Sequence, residues 1–295
     1  MTVAAASSAA CDGRVIAAQR APVGSRLRVS ALCGRYGVSP AGFYAWRRRR
    51  ESAHAEQDRD LATEITTLFT AHQQRYGSPR LQRALRDAGW RVSRRRIARL
   101  MRASGLRAKA AQGYRPKARL HRRYAQHPNR LWTTQVTRPN QVWVGDLTYL
   151  RVARSWCYLA IVMDSYSRRV LAWSLTRRRT ARVACAVLTR AARTRAAPGV
   201  IFHSDRGSEY MGAPFCDHVA RLGFLQSASV RGPGDNAHME SFFHSLKAEL
   251  TRGVVFPTEQ ALRHALHRYI RYYNATRLHS ALGYRSPIAF ECHAA

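Results

Sequence analysis

Apolar positions recur at helical spacing between residues 28 and 105, then shift after about 138 to the short alternating and continuous runs of β-strands. In RVSALCGRYGVSPAGFYAWRRRR, Leu32 and Tyr36 lie one turn apart, and Gly37-Val38-Ser39 breaks the pattern. Ser39 is placed to cap a second helix with Pro40 at its first position. The stretch predicts a helix-turn-helix shape and suits a plain helical hairpin equally. A further helical unit follows, with Leu61, Ile65 and Leu68 at spacings of four and three, then YGSPRLQRALRDAGW and VSRRRIARLMRASGL. In the last of these Ser93 is the expected N-cap, and Ile97, Leu100 and Met101 form the buried stripe.

Past residue 138, QVWVGDLTYL, SWCYLAIVMDSYS and RRVLAWSL predict three strands in an antiparallel meander. A helix over 180–197 follows, then a strand, VIFH, that ends at Ser204-Asp205, a helix over 214–222 and a strand near Leu225. After a Gly-rich loop, helices are expected over about 237–250 and 258–273. The order is that of a mixed-sheet α/β domain preceded by an all-α region. Five segments result: a disordered N-terminal tail at 1–27, a helix-turn-helix region at 28–105, a basic linker at 106–137, a catalytic-sized core at 138–255 and a C-terminal helical tail at 256–295.

Charge then narrows the function. The chain of 295 residues holds 50 Lys and Arg against 17 Asp and Glu, a net charge of +33. Self-repulsion on that scale calls for a polyanion, and nucleic acid is the obvious one. Only Lys109, Lys117 and Lys247 are lysines, so almost every cation is the planar fork that suits phosphate and guanine edges. GC-rich codon usage explains that choice of arginine, but not the excess of cations. Between Asp87 and Asp146 there is no acid and there are fifteen cations. Arg94, Arg95, Arg96, Arg99 and Arg102 crowd the polar face of one helix as DNA-binding candidates, with simple solvation as the alternative. Tyr114, Tyr124 and Trp132 are interleaved with linker charge, where they either stack on bases or pack.

Cysteines at 11, 33, 157, 185, 216 and 292 form no CxxC and no Cys-His pairing, which argues against zinc and a disulfide framework. The opening MTVAAASSAA lacks the basic start of a signal peptide, and WCYLAIVM is too short for a bilayer, so a cytoplasmic location is expected.

Three acids stand out by position. Asp146 interrupts an apolar strand between Val144 and Leu147, Asp205 ends the fourth strand, and Glu240 opens a helix whose stripe is Phe243, Leu246 and Leu250. If the first and fourth strands are neighbours, the two aspartates meet. Lys247 follows Glu240 by two turns, with His244 between them on the same helix. Three convergent carboxylates in a basic chain suit a two-metal phosphoryl-transfer site. Ion pairing with the many arginines is the alternative for each acid alone. Glu209 is expected to be a loop bystander, and Asp164 a turn residue paired with Arg168 or Arg169.

The order GDLTYL, HSDRGSEY, DNAHMESFFHSLKAEL and YNATRLHSALGYRSPIAFE resembles the DDE transposases of the second reading frame of the insertion-sequence three family. RYGSPRLQRALRDAGWRVSRRRIARLMRASGL resembles the helix-turn-helix segment that precedes their core. The resemblance runs from about 28 to 292. It implies a five-stranded RNase H-like sheet as in retroviral integrases, a catalytic and metal-binding triad of Asp146, Asp205 and Glu240, and two Mg²⁺ or Mn²⁺ ions. It makes Lys247 a contact to transposon-end DNA. It implies cleavage at the element's ends and attack of the freed 3′-hydroxyls on target DNA, by a homo-multimer in a synaptic complex. Two departures stand in the chain itself: 34 residues lie between Asp205 and Glu240, one fewer than usual, and Glu209 replaces the usual Gln. No heptad pattern opens the chain, so the resemblance also implies fusion to, or association with, the product of an upstream frame. A DNA-binding regulator with an inactive core and a nuclease without joining activity are the rival functions.

Overall fold

The computed structural model describes residues 28–48, 52–109, 127–195, 198–230 and 236–293. The expected tail at 1–27, the middle of the basic linker with Tyr114 and Tyr124, and most of the Gly-rich loop lie outside the described residues. The chain divides after Glu64 into two compact units.

In the first unit α1 (Val29–Arg35) and α2 (Pro40–Arg48) enclose Val29, Leu32, Cys33 and Phe43, with Tyr36, Val38 and Trp46 packed around them. Gly37 takes a φ of +64° at the reversal, and the Ser39 hydroxyl accepts the Gly42 amide at 3.0 Å, which caps α2. A third helix, α3 (Ala53–Ala71), begins in this unit and ends in the second.

The second unit opens with the end of α3, where Ile65 and Phe69 are buried; the spacing in sequence pointed to Leu68, which is only partly covered. Helices α4 (Ser78–Asp87) and α5 (Arg94–Ala103) pack on each other and bury Leu81, Leu85, Ile97, Leu100 and Met101. Ser93 caps α5 by accepting the Arg96 amide at 3.2 Å.

The sheet contains β1 (Val142–Val152), β2 (Ser155–Asp164), β3 (Val170–Thr176), β4 (Ile201–Ser204) and β5 (Leu225–Ala228) in the order β3-β2-β1-β4-β5. The first three strands form the expected antiparallel meander; β4 and β5 then add in parallel on the other side of β1. Parallel neighbours need crossovers. Helix α6 (Ala181–Thr194) makes the first, and α8 (Ala213–Arg221), preceded by the short α7 (Ser208–Met211), makes the second.

Because side chains alternate along a strand, β1 feeds two cores. Val142, Val144 and Leu150 join Leu159 and Ile161 against Phe242 and Leu246 of α9 (Ala237–Leu246) and Leu266 and Tyr269 of α10 (Glu259–Ala275). Trp143 joins Val162, Ala172 and Phe202 against Val187 and Leu188 of α6 and Phe215 of α8. The last helix is α11 (Pro287–Cys292).

Part of the expected linker is built into this unit. Pro128 accepts the Ala228 amide at 3.2 Å, and the Arg130 amide donates to Ser227 Oγ at 3.0 Å, so the approach to β1 runs along the edge strand β5. Asp164 does not form the expected arginine pair. Its buried carboxylate takes backbone amides from Asn140 at 2.7 Å, Tyr166 at 2.9 Å and Ser167 at 3.0 Å, while Arg169 turns to Glu291 at 2.7 Å. The turn after Asp164 offers two N–H groups to Oδ1 and the segment before β1 offers a third to Oδ2, which together satisfy a buried carboxylate without a cation.

Candidate active site

The parallel pairing of β1 with β4 ends at Gly145↔Ser204. The next residues, Asp146 within β1 and Asp205 just past the end of β4, therefore stand side by side where the two strands part. Gly145 is required there, because a Cβ at that position would collide with the Phe202 ring. Asp146 Oδ1 accepts the Leu147 amide at 2.7 Å, and Asp205 Oδ1 accepts the Gly207 amide at 3.1 Å. Burial pushes the Asp146 carboxyl well above the usual range, and the nearby Asp205 and Glu209 add to the rise; the Leu147 amide and Arg179 oppose it. Two acids placed this way hold their negative charge at a cost that a cation would remove.

Glu209 is not the loop bystander expected. It sits on α7 with only 4% of its surface exposed, and its carboxylate meets Arg179 at 2.7 Å. The structure thus adds a third carboxylate and its counter-ion beside the two aspartates. The only sign in the sequence is the acid itself, in place of the Gln that the resemblance leads one to expect.

Helix α9 starts against β1. The Asn236 amide reaches the Gly145 carbonyl at 3.4 Å, and Ser165 Oγ and His238 Nδ1 lie 2.9 Å apart. Asn236 Oδ1 is buried without a hydrogen-bond partner. Glu240 follows one turn later, its amide donating to the Asn236 carbonyl at 3.1 Å, and its side chain is exposed. Among the described residues no three Asp, Glu, His or Cys side chains form a group that could hold a metal ion. The aspartates are brought together, while Glu240 stands exposed on the adjoining helix.

At Leu246 the α-helical bonding gives way to a π-helical turn, Lys247–Thr251. Lys247 is half-buried there. Burial lowers its pKa, Asp146 works in the opposite direction, and its Nζ lies 5.0 Å from the centre of the Tyr149 ring. His244 is half-buried on α9. Arg94, Arg95 and Arg99 are exposed on α5 and Arg96 is half-buried. No described helix is long and apolar enough to cross a membrane.

A β3-β2-β1-β4-β5 sheet with helices on both faces and an aspartate pair where β1 and β4 part defines an integrase-type, RNase H-like α/β protein. Models of the integrase core domain match residues 136–233 and 240–294, and a model of an HTH-like domain matches 56–114. Transposase InsF for insertion sequence IS3A, from Escherichia coli (strain K12), is 38% identical over 269 residues, which is 89% of this chain and 93% of that protein. The transposase for insertion sequence element IS904, from Lactococcus lactis subsp. lactis (strain IL1403), is 34% identical over 250 residues, 82% of this chain and 98% of that one. A solved structure of the HTLV-2 integrase catalytic core domain in complex with magnesium (dimeric form) matches 52% of this chain and 97% of its own at 15% identity, with a TM-score of 0.41. The chain belongs to the transposase family of IS3-type insertion sequences. That family is one of DNA-cleaving and DNA-joining enzymes.

Proposed function

We propose that this chain cuts the ends of an insertion sequence and joins the freed 3′-hydroxyls to target DNA, with Asp146, Asp205 and Glu240 as the catalytic acids and as ligands for two Mg²⁺ or Mn²⁺ ions. The observation that carries the proposal is the Asp146–Asp205 pair, where β1 and β4 part, in a chain of net charge +33. The donor set fits hard divalent cations: carboxylate oxygens, a raised Asp146 pKa that a cation would reverse, and the orphaned Asn236 Oδ1 close by. Asp146, Asp205 and Glu240 would hold the ions, which would supply Lewis-acid activation of an attacking oxygen and charge stabilisation of the departing one at a phosphodiester.

The chain's own residues do the rest. Lys247, desolvated beside Asp146, binds a phosphate of the element's end, and His244 adds a contact from the preceding turn. Arg94, Arg95, Arg96 and Arg99 lie along the duplex backbone from α5. Glu240 completes the triad from the first turn of α9. Several copies act together on paired ends, with the product of an upstream frame as a further partner, in the cytoplasm.

Glu240→Gln is expected to abolish Mg²⁺-dependent cleavage and strand transfer on terminal-repeat DNA while DNA binding survives. Unchanged turnover refutes the triad. One rival is a DNA binder with an inert core. Titration with Mg²⁺ and Mn²⁺ that shows no uptake decides for that rival. Pre-cut 3′-hydroxyl ends that yield no joined plasmid product decide for a nuclease.

A further inference from the structure

Tyr149 and Trp156 are large aromatic residues left 55% and 51% exposed on the strands next to the aspartate pair. They are not scattered. Their rings meet edge to face, 5.1 Å apart at 85°, across the β1–β2 hairpin. Lys247 holds its ammonium 5.0 Å from the centre of the Tyr149 ring, a cation–π contact, and the same lysine feels the Asp146 charge. Arg151 and Arg154 are exposed on the same hairpin, and no acid stands between Asp146 and Asp164.

Exposed rings in the middle of an all-cationic hairpin suit a partner that brings π-faces and negative charge together. We propose that Tyr149 and Trp156, with Lys247, form a stacking platform for an unpaired base at the cut end of the DNA strand whose phosphodiester lies at Asp146. Tyr149 lies three residues of strand beyond Asp146, on the order of 10 Å, and the odd offset puts it on the opposite face of β1, so a base that reaches the ring has left the duplex stack at Asp146. Lys247 links the two places: its ammonium stands over the Tyr149 ring and feels the Asp146 charge. A duplex end must open for a base to leave its stack, and a platform stabilises the open form. This inference rests on the transposase reading above.

The test is a binding titration of the full-length protein with two duplexes of the element's end sequence, one fully paired and one with mismatched terminal base pairs. The wild type is expected to prefer the mismatched end. Trp156→Ala and Tyr149→Ala are expected to weaken binding to that end roughly tenfold, the usual loss for one stacked base, with little change on the paired duplex. Trp156→Phe and Tyr149→Phe are expected to restore it. A 2-aminopurine at the terminal position should be quenched by wild type and not by the alanine variants. Equal losses on both duplexes, or no loss on either, overturn the platform. So does a Trp156→Ala variant that changes oligomeric state with its preference for open ends intact, which assigns the patch to self-association. Absence of cleavage by the wild type bears on the transposase reading alone, because the platform is read by binding.

Discussion

Arg277 and Glu249 form a forked, buried ion pair: Nη2 lies 2.8 Å from Oε1, and Nε lies 3.2 Å from both carboxylate oxygens. Glu249 belongs to the π-helical turn that begins at Lys247, and Arg277 returns from the C-terminal tail to meet it. Tyr269 donates to Glu249 at 3.1 Å, and Arg277 Nη2 donates to Ser245 Oγ at 3.0 Å. Burial works against the guanidinium's charge, yet Glu249 outweighs it and raises the pKa. The pair therefore ties the segment presenting Lys247 to the tail. Glu249→Gln should cost about 3–5 kcal/mol, because it leaves a buried cation without its anion. Glu249→Gln combined with Arg277→Met should recover part of that loss. Urea unfolding of the three variants checks this, and a Glu249→Gln midpoint equal to wild type would sink it.

His279 gives the tail a pH dependence. Its Nε2 lies 3.5 Å from Arg277 Nη1, so the ring must be unprotonated to accept. Burial, with Arg277, Arg80 and Arg168 nearby, lowers its pKa to about 2. Below about pH 6.5 the unfolded chain takes up a proton that the folded chain refuses, so stability falls as pH falls, by up to about 1.4 kcal/mol per pH unit. His279→Gln removes this term. Unfolding at pH 7.5 and at pH 5 should show a wild-type loss about 2 kcal/mol larger than that of the variant. An identical pH response in both proteins rules the account out.

The difference between what the sequence disclosed and what it concealed is one of range. Asp146 is legible because a charge in the run Val142, Val144, Leu147 needs a reason. Its meeting with Asp205 follows from strand order, which the alternation of strands and helices limits to few choices. Glu209 and Glu249 were not legible. Each looks like an ordinary acid on a polar stretch, and each is buried by an arginine about thirty residues away, Arg179 in one case and Arg277 in the other. Periodicity reports a residue's own element and says nothing about a distant segment that folds over it. The same limit applies to Arg277 and His279, both of which the structure packs.

Gly145→Ala should unsettle the aspartate pair without removing a functional group. The added methyl meets the buried Phe202 ring on β4, so either that ring or the β1–β4 pairing must shift. Overpacking of this kind costs about 1–3 kcal/mol. Gly145→Ala combined with Phe202→Leu should regain stability, as read by thermal melting. An unshifted melting temperature in the single variant would show that the strands yield without strain.

The arginines of α5 predict a salt effect. Each phosphate neutralised by a cation adds about 0.9 to the slope of log affinity against log salt on duplex DNA. Changing Arg94, Arg95 and Arg99 to Gln should flatten that slope by up to about 2.7, with the α5 fold intact because the three side chains are exposed. Titrations over a range of salt check it. A slope equal to wild type would remove α5 from the DNA-binding face.

Arg179 and Glu209 test whether the third carboxylate needs its counter-ion. The Glu209 side chain is 3% exposed and Arg179 43%, so Arg179→Ala leaves a nearly buried anion beside Asp146 and Asp205 while exposing little else. Partial exposure of the arginine tempers the penalty for a fully buried pair, and about 1–3 kcal/mol is expected. Glu209→Gln, which removes the charge but keeps most of the shape, should be tolerated alone and should rescue Arg179→Ala. Urea midpoints at pH 8 for the two single variants and their combination measure the coupling directly. If Arg179→Ala matches wild type at pH 8, the ion pair has no part in holding Glu209 against the aspartates.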